Sequence, residues 1–179
     1  RDYLITKVFY KLSKKYLGDL NYHSRFESLA EELKKLGKSP DSPLNIAEAV
    51  ISLRKFKQPD WTKVGTAGSF FKNSIVSKEK YLELSNKVKE LQWYPVDKLQ
   101  YTNTEQIPDQ VKIPTGRLLD ELGWKGKKIG NVSTHDKSAL VIINLGGATG
   151  KEIFDYAELM RADVKKNFGI ELEYEVKVI

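Results

Sequence analysis

The feature that most constrains the fold is a long amphipathic pattern near the C-terminal end of the sequence. Between Thr149 and Gly169, apolar residues recur at spacings of four, three, four and four, namely Ile153, Ala157, Met160, Val164 and Phe168. This repeat follows one face of an α-helix, with Thr149 as its N-cap and Gly169 as its end. Because such a face must be buried, the pattern predicts a helix packed on a sheet or on other helices.

Strand patterns lie before and after this helix. Residues 139–144 form an almost continuous apolar run, which is typical of a strand buried on both faces. Residues 171–179 alternate as a final strand, and residues 3–13 are rich in β-branched and aromatic side chains. Further helices are predicted over residues 24–37, 42–58, 77–91 and 114–123. Together these elements predict an α+β fold with a small sheet, surrounding helices and terminal strands whose partners lie outside this sequence.

The composition narrows the classes of site and partner. The 179 residues contain no cysteine and two histidines, which excludes disulfides and thiolate metal sites and disfavours a structural zinc. No apolar run approaches the roughly 20 residues of a membrane span, and no signal peptide is evident, so we expect a cytoplasmic protein without a membrane partner. The net charge of +6 suits an anionic partner. Because the lysines are scattered, a phosphorylated small molecule is favoured over nucleic acid.

A glycine-rich stretch is the strongest candidate for a ligand site. Residues 65–75 read Gly-Thr-Ala-Gly-Ser-Phe-Phe-Lys-Asn-Ser-Ile. The glycines permit a tight turn, and Ser69, Lys72 and Asn73 could then surround an anionic ligand together with backbone N–H groups. Taken alone, such residues more commonly form an ordinary turn that enters a strand, with the two phenylalanines in the core.

Several motifs occur in an order that resembles one flavoenzyme family. They are Gly68-Ser69-Phe70-Phe71-Lys72-Asn73, Arg54-Lys55-Phe56-Lys57-Gln58-Pro59-Asp60, Lys112-Ile113-Pro114-Thr115-Gly116, Gly123-Trp124-Lys125-Gly126, and Phe168-Gly169-Ile170 followed by Glu173-Tyr174-Glu175-Val176. In the order in which these motifs follow one another along the chain, and over essentially its whole length, the sequence resembles the UDP-N-acetylenolpyruvoylglucosamine reductases. It departs from their usual pattern, which has proline or tryptophan, at Ser74, Arg117 and Tyr174.

The resemblance implies an FAD-containing, NADPH-dependent oxidoreductase of peptidoglycan precursor synthesis. Such enzymes reduce UDP-N-acetylglucosamine enolpyruvate to UDP-N-acetylmuramate, and their N-terminal FAD-binding region would lie upstream of Arg1. The sequence is therefore expected to comprise a remnant of that region (residues 1–60), a substrate-binding domain (61–170) and a strand that returns to the first region (171–179). The missing FAD-binding domain is then a partner, and the fragment alone is expected to be inactive.

Site residues follow from the resemblance only where this sequence matches the family's motifs. Ser69 matches the proton donor, and Glu175 matches the acidic residue beside the enolpyruvyl carboxylate. The positions that match substrate-binding residues are Tyr22, Lys57, Gly68, Asn73, Tyr94, Lys112 and Lys125. Tyr16 is an alternative to Tyr22 as the tyrosine of a loop that folds over the substrate.

Each of these assignments has a structural alternative. The Ser69 hydroxyl could satisfy the backbone of its own turn, and Glu175 could be an outward-facing charge on a terminal strand. The lysines could simply be solvated. The alternative function is therefore a basic module that binds nucleotides or nucleic acid without catalysis.

Overall fold

The computed structural model describes residues 6–12, 28–96 and 108–178. The chain divides between Phe56 and Lys57 into two compact units. The helices that begin the described fold are α1 (Leu29–Lys35) and α2 (Pro43–Lys57). The small core between them consists of Leu29, Leu33, Ala49 and Leu53.

Helix α1 has a different N-cap from the one that the sequence predicts. The hydroxyl of Ser28 accepts the backbone N–H of Glu31 at 3.1 Å, and the backbone N–H of Ser28 donates to the Glu31 carboxylate, also at 3.1 Å. This reciprocal capping box satisfies two backbone donors at the start of the helix. The N-cap of α1 is therefore Ser28, whereas the predicted cap, Ser24, lies outside the described residues.

The predicted N-terminal strand does not form over its described part. Residues 6–12 adopt neither helix nor strand, and their apolar side chains are 63–89% exposed at Val8, Phe9, Tyr10 and Leu12. A strand requires a neighbouring strand to bond its backbone, and a favourable composition does not supply one. The prediction is wrong for residues 6–12, and the rest of residues 3–13 lies outside the described part of the chain.

The second unit contains two antiparallel sheets and three helices among its described residues. Its strands are β1 (Gly65–Ser69), β2 (Ser74–Ser77), β3 (Tyr94–Pro95), β4 (Gln110–Ile113), β5 (Lys128–Ile129), β6 (Val132–His135) and β7 (Ser138–Asn144). The larger sheet has the order β1-β7-β6-β5, and the smaller one has the order β2-β4-β3. Its helices are α3 (Lys78–Ser85), α4 (Thr115–Glu121) and α5 (Gly150–Phe168). The predicted α+β class is confirmed.

The amphipathic pattern near the C-terminal end is confirmed as helix α5. Thr149 forms a capping box with Glu152, and Gly169 ends the helix with a φ of 68°. The buried side chains of the helix are Tyr156, Ala157, Met160, Val164 and Phe168. This face packs against α4 and the strands β6 and β7, which completes the core of the second unit.

Strand β7 is less buried than its apolar sequence predicts. Only Ala139 and Ile142 are buried, while its other side chains are half-buried. Helices α4 and α5 contact the strand, but they do not bury it completely.

The C-terminal segment joins the core of the second unit instead of forming a full strand. Ile170 and Leu172 are buried in that core, and Tyr174 makes an isolated β-bridge with Phe71. The alternation predicted over residues 171–179 therefore yields a single bridge within the described residues 171–178. The three-part division of domains stays a prediction. No helix within residues 6–12, 28–96 and 108–178 is both long and apolar enough to cross a bilayer.

Candidate functional site

A bulge in β1 determines where Ser69 lies. Thr66 faces Ile143 and Ser69 faces Val141, so β1 carries one more residue than β7 between these pairs. Gly68 sits in the bulge with a φ of 73°, a conformation that favours glycine. The bulge leaves Ser69 exposed, although the two phenylalanines that follow it are buried.

The hydroxyl of Thr66 holds this bulge in place. It accepts the backbone N–H of Gly68 at 3.0 Å and donates to the carbonyl oxygen of Ile142 at 3.0 Å. One side chain therefore joins the irregular part of β1 to the neighbouring strand. Sequence reasoning did not single out Thr66, because its partner on β7 lies far along the chain.

The C-terminal segment brings Glu175 next to this bulge. The backbone N–H of Glu175 donates to the carbonyl oxygen of Phe70 at 2.9 Å, and that of Lys72 donates to the carbonyl oxygen of Glu173 at 2.9 Å. Between these bonds, the rings of Phe71 and Tyr174 stack with their centroids 5.6 Å apart. The backbone of Glu175 thus bonds Phe70, the residue that follows Ser69. The side chains of Ser69 and Glu175 are both exposed.

Tyr94 and Lys112 are also brought together. They face each other directly on β3 and β4, and Ile75 on β2 faces Lys112 from the other side. Directly opposed residues of antiparallel strands lie on the same face of the sheet. Lys112 is half-buried, whereas its neighbours Val111 and Ile113 point into the core. The outer face of this small sheet therefore carries a cation beside an aromatic ring.

Asn73 lies between Ser69, at the end of β1, and strand β2, whose Ile75 faces Lys112, and it borders a cleft. The cleft has a volume of about 480 Å³ and runs between residues 72–77 and the segment that follows α5. Its charges are mixed, because the Lys72 ammonium lies 3.1 Å from the Glu173 carboxylate. The Lys165 ammonium, which hydrogen-bonds Glu171 on the other wall, and Arg161 beside it lower the pKa of that carboxyl group.

One predicted substrate residue, Lys125, lies apart from this arrangement. Lys125 follows the C-terminal end of α4, where its ammonium lies 3.2 Å from Asp120, whereas Asn73 contacts the N-terminal end of that helix. Lys57 is the last residue of α2 and is half-buried. Tyr22 lies outside the described residues, as does its alternative Tyr16.

The residue that sequence reasoning missed most clearly is Thr115. It is fully buried at the start of α4, and its hydroxyl donates to the carbonyl oxygen of Lys72 at 2.8 Å. The only signal in the sequence is a small hydroxyl residue directly after Pro114, a position typical of a helix start. That signal predicts a helix boundary and gives no indication of a contact with the glycine-rich stretch.

We expect Gly68→Ala to lower the free energy of unfolding by about 1–2 kcal/mol, because alanine is strained at positive φ. Steric crowding would not contribute, since no atom lies within 4 Å of the position of an added Cβ. Gly150→Ala is the matched control, because it adds the same methyl group in open space at an ordinary φ. Urea denaturation of both variants tests the prediction, which fails if the two lose the same stability.

Comparison with known proteins gives one consistent result. The family described as "UDP-N-acetylenolpyruvoylglucosamine reductase, C-terminal domain" matches residues 58–179. Proteins named UDP-N-acetylenolpyruvoylglucosamine reductase are similar over nearly the whole chain. The one from Burkholderia ambifaria (strain MC40-6) is 36% identical over 175 residues, which are 97% of this chain and 46% of the relative. The one from Bdellovibrio bacteriovorus is 38% identical over 97% of this chain and 47% of the relative.

A third relative, from Flavobacterium johnsoniae, is 34% identical over 99% of this chain and 49% of its own length. The chain therefore spans about half the length of the curated relatives that it matches.

Proposed function

The chain belongs to the UDP-N-acetylenolpyruvoylglucosamine reductase family, and on this basis we propose that it is the C-terminal part of such a reductase. The whole enzyme would use NADPH and FAD to reduce UDP-N-acetylglucosamine enolpyruvate to UDP-N-acetylmuramate, in the cytoplasm and for peptidoglycan synthesis. Most contacts to FAD would come from an N-terminal FAD-binding domain, so this chain alone would bind nucleotide without turnover.

The observation that carries the proposal is the junction of Ser69 and Glu175. Two segments far apart in the sequence meet through the hydrogen bond between the Glu175 N–H and the Phe70 carbonyl oxygen. Both side chains are exposed, as groups that act on a ligand must be. No atom lies within 4 Å of the position of a Cβ at Gly68, so a ligand group can approach the backbone there. These features fit a flavin-dependent reduction.

The proposed role of Ser69 follows from the charge that the reduction creates. Bound flavin would supply hydride to the terminal carbon of the enolpyruvyl group. The electron pair of the double bond then resides on the adjacent carbon and its carboxylate, and the Ser69 hydroxyl gives that carbon its proton. A serine hydroxyl is a weak acid in water, so this transfer requires a dry and positioned site. We propose that the FAD-binding domain covers Ser69 and provides that environment.

The proposed role of Glu175 is to interact with the substrate carboxylate. Two carboxylates repel each other unless they share a proton or a cation lies between them. Glu175 would therefore act with a shared proton or with a cation from the other domain.

The diphosphate of the substrate would bind to the outer face of the small sheet. Lys112 is half-buried and directly faces Tyr94 on the neighbouring strand, and Asn73 borders the adjoining cleft. A cation and an amide are suitable donors for phosphate oxygens, and an aromatic ring suits a nucleotide base. Lys57, Lys125 and Tyr22 remain proposed contacts from other parts of the chain.

Calorimetric titration of the chain with UDP-N-acetylglucosamine tests this proposal. We expect binding that weakens about five- to tenfold in Lys112→Ala, because a charge-assisted contact to phosphate is lost. Lys166→Ala, which removes an exposed lysine of α5, is the control with the same change of charge and should bind as the parent does.

A parallel titration with single-stranded nucleic acid distinguishes the alternative function. Tight, steeply salt-dependent binding of nucleic acid without a response to the UDP-sugar would contradict our proposal and favour a basic binding module.

A further inference from the structure

A single buried hydroxyl fixes the tripeptide Lys72–Asn73–Ser74. The Thr115 hydroxyl donates to the carbonyl oxygen of Lys72 at 2.8 Å and accepts the backbone N–H of Ser74 at 3.1 Å. Its oxygen also lies 3.0 Å from the hydroxyl oxygen of Ser74. Because a threonine hydroxyl has one proton and Lys72 receives it, the Ser74 hydroxyl must be the donor in that third bond. Thr115 therefore uses its full hydrogen-bonding capacity on the two residues that flank Asn73.

The backbone of Thr115 orients Asn73 itself. The N–H of Thr115 lies 3.3 Å from the side-chain oxygen of Asn73, and this contact assigns the amide orientation, because an N–H can donate only to the oxygen. Pro114, the N-cap of α4, makes no side-chain capping bond, so Asn73 supplies an acceptor to the helix start from outside the helix. The amide oxygen is thereby occupied, and the NH₂ group of Asn73 is left as the available part of the side chain.

We propose that Thr115 is a positioning residue, which presents the Asn73 NH₂ group as a hydrogen-bond donor to a nucleotide. This inference rests on the proposed function, since it names the group that holds a donor of that site in place. Thr115 itself is fully buried and cannot touch the ligand. Its effect passes through the two backbone bonds that flank Asn73 and through the N–H that occupies the Asn73 oxygen. The ligand chemistry that this arrangement selects is an acceptor-rich one, such as a diphosphate or a uracil carbonyl.

The first test is the NMR signal of the Asn73 side-chain NH₂ group in the ligand-free chain. In the parent protein we expect the two proton signals of this group to lie away from the positions of a mobile, solvent-exposed asparagine, because the side chain is held in one orientation. Thr115→Val keeps the shape of the side chain and removes the hydroxyl, and it should bring the two signals close to the positions of a freely rotating asparagine side chain. Thr115→Ser keeps the hydroxyl and should restore the parental signals.

The second readout is the dissociation constant for UDP-N-acetylglucosamine. We expect an increase of about tenfold in Thr115→Val, since one ordered hydrogen-bond donor is lost, and a change of less than about twofold in Thr115→Ser. Thr134→Val is the matched control. Thr134 is also buried, and its hydroxyl donates to the carbonyl oxygen of Trp124, away from Asn73. Thr134→Val should lower the stability in a similar way without changing the Asn73 NMR signals or the dissociation constant for the UDP-sugar.

A further variant keeps the test decisive if Thr115→Val does not fold. Asn73→Asp retains an oxygen for the Thr115 N–H and removes the NH₂ donor, so it should preserve the NMR signal of that N–H while weakening UDP-sugar binding at least about tenfold.

Parental binding by Asn73→Asp would overturn the inference. So would unchanged Asn73 signals in Thr115→Val, or equal effects of Thr115→Val and Thr134→Val. If the parent bound no UDP-sugar, the proposed function would fail, while the Asn73 signals would still decide the role of Thr115.

Discussion

In the full-length reductase that we propose, Ser69→Ala is expected to slow the reoxidation of reduced flavin by the enolpyruvyl substrate about 10²- to 10⁴-fold, the usual contribution of a positioned proton donor. The reduction of the flavin by NADPH should keep its parental rate, because that step requires no proton from Ser69. The loss of a single oxygen atom should leave the fold unchanged, since the Ser69 side chain is exposed. Stopped-flow absorbance of the flavin measures the two half-reactions separately.

The matched control for this experiment is Ser85→Ala. The Ser85 hydroxyl is also exposed, and it donates to the carbonyl oxygen of Leu82 within the same turn of α3. This variant should have parental rates in both half-reactions. Parental reoxidation in Ser69→Ala would show that another group donates the proton, whereas equal slowing of both half-reactions would indicate a defect in flavin binding.

The second large effect is expected at the aromatic cluster beneath the site. Phe71→Ala should lower the free energy of unfolding by about 3–5 kcal/mol, as is usual when a buried phenylalanine is truncated to alanine. Phe71 is 2% exposed, and its ring contacts those of Phe70 and Tyr174, each at 5.6 Å. The substitution leaves a cavity at the isolated β-bridge between Phe71 and Tyr174. Chemical denaturation of the chain, followed by circular dichroism, measures the loss.

Leu159→Ala provides the comparison for Phe71→Ala, because it truncates an apolar side chain of α5 that is 51% exposed. It should change the free energy of unfolding by less than about 0.5 kcal/mol. A loss at Phe71 that is no larger than the loss at Leu159 would mean that the aromatic cluster does not stabilise the second unit.

The parts of the fold that could be predicted from the sequence are those that depend on local pattern. Helix α5 is the clearest case, because its apolar spacing, its N-cap Thr149 and its terminal Gly169 all lie within one segment. Strand pairing was much harder to predict. The glycine-rich stretch predicts a turn that enters a strand, whereas its residues Gly65–Ser69 already form strand β1 with a bulge, because β7 supplies a partner that lies far along the chain. The short strands β5 and β6 carry too few residues to show alternation.

The candidate site likewise has residues that could be predicted from the sequence and residues that could not. The residue types of Ser69, Asn73 and Glu175 could be picked out from motifs, because each stands in a short run of characteristic sequence. Their supports could not be predicted. Thr66 and Thr115 act through single hydroxyl groups on backbone atoms of distant segments, and no spacing rule links a threonine to such a partner. The register that brings Glu175 to Phe70 likewise depends on the completed core.

The bridge between Phe71 and Tyr174 encloses almost every element of the second unit, from β2 to α5, within one long loop. Contacts between residues so far apart in sequence form late, because the entropy cost of closing the loop must first be offset by the packing of everything inside it. Loss of the packing inside this loop would therefore also weaken the contact that holds Glu175 beside Ser69. The candidate site thus depends on the completed fold of the second unit, since a partly folded form would hold Ser69 and Glu175 apart.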